Sequence, residues 1–156
     1  MILERIDCMT RNDEVHEFGR IKYNVCFRLI CDELDPSEIT ALLGIIPSRA
    51  HRKGDPNTSV SKKGKITYFS PFNTGLWSLH SRLKESADLE HHVVSLLTLL
   101  YPLKSKLVEL SQRGYKMDMF CGAFLHESSQ PGFDLSADVL LQMGELNISF
   151  GLCMYP

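Results

Sequence analysis

Leu89, Val93, Leu96, Leu100, Leu103, Leu107 and Leu110 recur at spacings of 4, 3, 4, 3, 4 and 3. That interval is the period of one helix face, and Val94, Leu97 and Val108 widen the stripe. A helix from about Ala87 to Arg113 with so broad an apolar face must be covered by another layer of structure. Pro102 falls in its middle, where proline costs ~3 kcal/mol in an uninterrupted helix. The stripe keeps phase across Pro102, so the spacing predicts one long kinked helix, or two nearly in line, ended at Gly114. A coiled-coil dimer is the competing reading; the proline and the poor charge pairing beside the seam argue against it.

The covering layer is written in period two. Ile21, Tyr23, Val25, Phe27, Leu29 and Cys31 alternate with Lys22, Asn24, Cys26 and Arg28, the pattern of a half-buried strand. Tyr115–His126 sets Met117, Met119, Cys121, Ala123 and Leu125 on one face and Phe120 and Phe124 on the other, which predicts a central strand. The last strand puts Leu146, Ile148, Phe150, Leu152 and Met154 inward, and Asn147, Ser149, Gly151, Cys153 and Tyr155 outward. Thr74–Ser81 is a further strand and carries the only tryptophan, Trp77. Lys62-Lys63-Gly64-Lys65 reads as the turn of a hairpin between strands near Thr58–Ser61 and Lys65–Phe69.

Two short helices complete the set. Asp35 is an N-cap, Pro36 suits the first helical position, Glu38 lies three residues on as a capping box requires, and Gly44 supplies the stop. Ile39, Leu42 and Leu43 form its apolar face. Near the end, Ser136 caps a helix over Ala137–Met143, with Gly144 as terminator. These elements predict an α+β fold of ferredoxin-like type: a largely antiparallel sheet of five to six strands with helices packed on one face. Two βαβ-like halves, one around Leu34–Ile45 and one around Leu135–Gly144, are expected to be joined by the long kinked helix. Residues 1–20 are polar and aperiodic and read as an N-terminal arm; 21–156 reads as a single domain.

Composition narrows function mainly by what it lacks. The first residues turn charged at once, no apolar run reaches the ~18 residues of a membrane span, and five cysteines have no framework spacing. The expectation is a cytoplasmic protein with free thiols. Charge is uneven: residues 49–65 hold six basic side chains against Asp55, a net +5, so with −2 for the chain the remainder carries −7. Arg49, His51, Arg52, Lys53, Lys62, Lys63 and Lys65 are therefore the candidate anion- or partner-binding residues, although a solvated loop is the commoner meaning of such a run. Trp77 is the candidate binding-surface aromatic, the core being the commoner place for it.

The sequence lacks the common catalytic signatures. No glycine-rich phosphate loop, nucleophile elbow or Cys-x-x-Cys is present. His91 and His92 are adjacent on a helix and diverge by about 100°, so they cannot chelate one ion together. Cys26, Cys31, Cys121 and Cys153 fall on strands as small hydrophobes, and Asp35 and Glu38 are accounted for by capping. No catalytic residue, metal or cofactor is assigned.

The run Leu34-Asp35-Pro36-x-Glu38-Ile39-Thr40 with Leu43-Gly44-x-x-Pro47-Ser48, the basic turn ending in Gly54, the Trp77 strand and Phe120-Cys121-Gly122 make a combined pattern. With Gly132-Phe133-x-Leu135-Ser136 and a strand ending at Tyr155, it resembles a small bacterial family catalogued as domain-of-unknown-function family 4279. The resemblance spans roughly residues 21–156 and implies an intracellular bacterial single-domain protein; it brings no catalytic residues with it. The expected function is a non-enzymatic cytosolic binding module working through a protein partner or self-association. The alternative is a binder of, or enzyme on, a small anionic ligand at residues 49–65. Membrane association is not expected, nor is nucleic-acid binding, since basic residues are not interleaved with aromatics.

Overall fold

A computed structural model gives the fold and describes residues 21–127 and 132–156. The arm expected at residues 1–20, with Cys8, lies outside the described residues. The chain runs β1 (Lys22–Cys31), α1 (Pro36–Leu43), β2 (Arg49–His51), β3 (Asn57–Val60), β4 (Ile66–Phe69) and β5 (Gly75–His80). It continues through α2 (Leu89–Leu100), a single 3-10 turn (Tyr101–Leu103), α3 (Lys104–Gln112), β6 (Lys116–Phe124), α4 (Ala137–Glu145) and β7 (Ser149–Tyr155). Five strands form one sheet in the order β2-β5-β1-β6-β7, and β3 and β4 form a separate two-stranded sheet.

Within the large sheet β1 is antiparallel to β5 and to β6, β2 is antiparallel to β5, and β7 runs parallel to β6. Register follows from alternation. Phe27 faces Leu79 and Met119 across its two neighbours, so the odd-numbered residues of β1 share a face with Trp77, Leu79, Met117 and Cys121. Those residues and Tyr23, Val25 and Leu29 join one core with Ile39, Leu43, Val93, Leu96, Leu100, Leu107, Leu110, Val139 and Met143 from all four helices. The opposite face of the sheet carries the even-numbered residues of β1, β5 and β6 and the odd-numbered residues of β2 and β7.

The leucine seam is buried as its spacing predicts, apart from half-buried Leu103. The long kinked helix is resolved as two helices with a 3-10 turn at Pro102, because proline has no N–H to continue the ladder. Three local expectations are corrected. Glu38 does not close a capping box; its carboxylate meets Arg113 at 3.3 Å instead. Gly144 lies inside α4, and the left-handed residue that ends it is Asn147 (φ 56°), whose side chain tolerates that region. Met154, expected inward, is largely exposed near the end of the edge strand β7.

The cap of α1 is intact on its other side. The Asp35 carboxylate accepts from the Ser37 N–H at 2.9 Å and the Ser37 hydroxyl at 2.5 Å, and from Arg52 at 2.5 Å. These bonds, the Ser37 hydroxyl first, hold its carboxyl well below the usual carboxylate range. The cap is thus charged, and its contribution present, throughout the neutral range; it fades only as pH falls below that range. Asp35→Ala is expected to lower Tm by about 2–4 °C at neutral pH, read by thermal denaturation, and an unchanged Tm would contradict the cap.

Candidate functional site

Residues 49–65 were singled out by charge, and the structure sends them to three different places. β2 pairs with β5 so that Ala50 lies opposite Trp77, on the core side. Arg49 and His51 consequently share the other face, opposite Ser78 and Leu76. The Ser48 N–H donates to the Ser78 carbonyl at 2.8 Å, and the His80 N–H donates to the Ser48 hydroxyl at 2.9 Å. His51 stacks on Phe72 with ring centroids 3.5 Å apart, and the Arg49 guanidinium lies 5.6 Å from the same ring. Burial lowers the His51 and His80 pKa values, and the Arg49 charge pushes both the same way. Both are neutral at physiological pH.

Arg52 and Lys53 turn back toward the start of α1. Arg52 pairs with Asp35, and Lys53 with Asp32. The intervening turn is fastened as well: the Arg52 N–H donates to the Asp55 carboxylate at 2.8 Å, and the Gly54 N–H donates to the Phe72 carbonyl at 2.7 Å. Gly54 sits at φ 85°, where a side chain would be strained. Two of the six cations are therefore committed to structural ion pairs.

Lys62, Lys63 and Lys65 lie at the far end of the β3–β4 hairpin. The turn closes through the Gly64 N–H to the Ser61 carbonyl at 2.8 Å and the Ser61 N–H to the Lys65 carbonyl at 2.9 Å. The three lysines form no ion pair among the described residues. Cross-strand register puts Val60 opposite Ile66 and Thr58 opposite Tyr68, all four on one face; Ser59, Thr67, Asn57 and Phe69 take the other. The apolar face is uncovered: Val60 is 65%, Ile66 50% and Tyr68 76% exposed, with Phe69 on the reverse at 55%.

Trp77 must be removed from the candidate list. It is completely buried, its ring meets Phe27 edge-on at 6.4 Å, and its indole N–H donates to the Thr40 hydroxyl at 3.0 Å. A tryptophan in the middle of the core, with its one polar atom satisfied, is packing and not a contact surface. Of the thiols, Cys121 faces the core and burial pushes it up to about 12; Cys26, buried on the open face of the sheet, is raised for the same reason, Cys31 is half-buried and Cys153 is exposed. Cys26, Cys31, Cys121 and Cys153 are free thiols. Among the described residues no three His, Cys, Asp or Glu side chains are grouped to hold a metal ion, and no helix is long and apolar enough to cross a membrane.

Sequence reasoning passed over the open face of the large sheet. There Arg28 makes a two-pronged ion pair with Asp118, at 2.8 and 2.6 Å, and its guanidinium lies 4.3 Å over the Phe120 ring. Phe124 and Tyr155 stack at 5.0 Å across β6 and β7. The available signal was the pair Phe120 and Phe124 on the non-core face of β6, which is unusual for a face left to water.

These features define an α+β domain with helices buried against one sheet face, an open second face and a separate basic hairpin. The chain belongs to the family described as domain of unknown function DUF4279, whose model matches residues 21–156. Nothing among curated proteins or solved structures matches it.

Proposed function

We propose that the protein is a non-enzymatic binding module of the bacterial cytosol that works by self-association through the β3–β4 hairpin. The observation that carries this is the hairpin's uncovered apolar face of Val60, Ile66 and Tyr68 beside three lysines with no ion pair among the described residues. An isolated two-stranded hairpin is marginal in water and normally needs a surface to pack on. Its thirteen residues, 57–69, hold three lysines and no acid, while the chain outside residues 49–65 carries −7. A second copy therefore offers the opposite charge, and hydrophobic contact supplies the rest. The cytosolic, bacterial setting is carried over from the family resemblance and is part of the proposal. We also read the large sheet as ferredoxin-like, supported by the order β6-β1-β5-β2 with β1 and β2 pointing the same way on either side of β5; α4 and β7 are then an addition at the β6 edge.

Sedimentation velocity on the full chain at about 100 μM tests this, comparing ~50 mM with ~500 mM salt, where screening shortens from about 14 to about 4 Å. The expected result is a dimer at low salt that moves toward monomer at high salt, and that is lost in Tyr68→Ser and in the triple change of Lys62, Lys63 and Lys65 to glutamate. A monomer under all conditions would overturn the proposal. So would a dimer that survives both variants, since its interface would lie elsewhere.

A further inference from the structure

A pocket of about 300 Å³ occupies the open face of the large sheet, running from β2 across β5 and β1 to β6 and β7. Its middle is kept low by small residues, Cys26, Ser78 and Gly122. Two rings stand close by: a Cβ at Gly122 would be in ordinary contact with them, 3.4 Å from the Tyr155 ring and 3.5 Å from the Phe124 ring. The stacked pair forms one wall, with Phe120 beside it. The other wall is Arg49 with His80.

Charge in the pocket does not balance. Arg28 is neutralised by its ion pair with Asp118. Arg49 has no carboxylate partner among the described residues. One positive charge therefore stands at the β2 end of a trough whose β6–β7 end is aromatic. From β2 to β6 is three strand spacings, about 14 Å, part of which the long Arg49 side chain spans. The remaining length suits one ring on a short stem with an anionic head.

We propose that this pocket binds a small monoanionic carboxylate with an aromatic body, its carboxylate on Arg49 and its ring against Phe120, Phe124 and Tyr155. Arginine presents paired donors that match a carboxylate, and the aromatic wall offers a face for the ring. His80 sits beside Arg49 and adds no second full charge, because burial and the guanidinium keep it neutral. Selectivity for a single negative charge follows from Arg49 being the one pocket cation without a carboxylate partner among the described residues.

The test is an amide-detected NMR titration of the full chain with 3-phenylpropionate and its neutral isostere 3-phenylpropanamide. The carboxylate should shift amides of β1, β5 and β6 around Ser78, His80 and Gly122, saturably, with Kd on the order of 1 mM. The amide should bind at least tenfold more weakly, and Arg49→Gln should weaken the carboxylate by a similar factor while its own spectrum shows that the fold is kept. Reversing Lys62, Lys63 and Lys65 should leave binding unchanged, which separates this site from the hairpin. Equal affinity for acid and amide, shifts centred on residues 57–69, or no saturation by about 10 mM would each overturn the proposal.

Discussion

Replacing Trp77 with alanine should cost about 3–5 kcal/mol, the largest single-residue loss expected in this chain. The side chain is fully buried between β1 and α1, against Phe27 and Thr40, so the cavity opens where the first helix meets the sheet. Collapse around it is limited, because Ala50 on β2 is already small and lies directly opposite in the register. The loss also strands the Thr40 hydroxyl as an acceptor, although that group keeps its own donation to the Pro36 carbonyl at 2.7 Å. Urea denaturation reads the effect as a lowered midpoint with an unchanged slope. A loss below about 1 kcal/mol would mean that the indole is not in the core, and would return Trp77 to the surface candidates.

The second large effect is expected at a glycine. Gly75 opens β5 opposite Cys31, and a Cβ built there would stand 2.5 Å from the Cys31 carbonyl oxygen and 2.8 Å from the Leu34 Cβ. The nearer obstacle is backbone, so no rotamer change relieves it, and either β5 or the turn before α1 must move. Gly75→Ala should cost ~3 kcal/mol, at the upper end of ordinary overpacking penalties. It should also disturb the N-terminus of α1, visible as amide shifts at Asp35 and Ser37. Gly122→Ala is a useful contrast, because its neighbours are ring edges at 3.4 and 3.5 Å that can shift slightly. Its cost should be clearly the smaller of the two.

What could be read in the chain beforehand was whatever local chemistry determines. The start of α1 is set by Asp35 and Pro36, its end by Gly44 at φ 69°, and the β3–β4 turn by Gly64 at φ 78°, each a residue at the boundary it sets. The leucine seam needed only its own period. What escaped depended on partners distant in sequence. Glu38 looked like the second half of a capping box until Arg113, 75 residues on, proved to be its partner. Arg52 and Lys53 looked like free cations because Asp35 and Asp32 lie 17 and 21 residues upstream. The open-face pocket draws on five strands, and no pattern within one strand announces that β5 separates β1 from β2. Gly144 and Asn147 show a subtler limit: glycine was the obvious helix stop, but asparagine three residues later takes the left-handed position.

The two proposed surfaces use different parts of the charged segment, and that division is itself informative. Arg49 faces the sheet, Arg52 and Lys53 fasten the turn to α1, and only Lys62, Lys63 and Lys65 stand on the hairpin beside Val60, Ile66 and Tyr68. Arg52→Glu should therefore act on stability, by setting a second carboxylate beside Asp35, and should leave self-association alone.

Hydrogen exchange measured as a function of protein concentration tests the central claim most directly. If the hairpin packs on a second copy, amides of residues 57–69 should exchange more slowly at about 200 μM than at about 2 μM, because only the associated form protects them. Amides in the middle of β1, β5 and β6 should be indifferent to concentration. Hairpin amides that exchange at one rate across that range, while the core stays protected, would contradict the account.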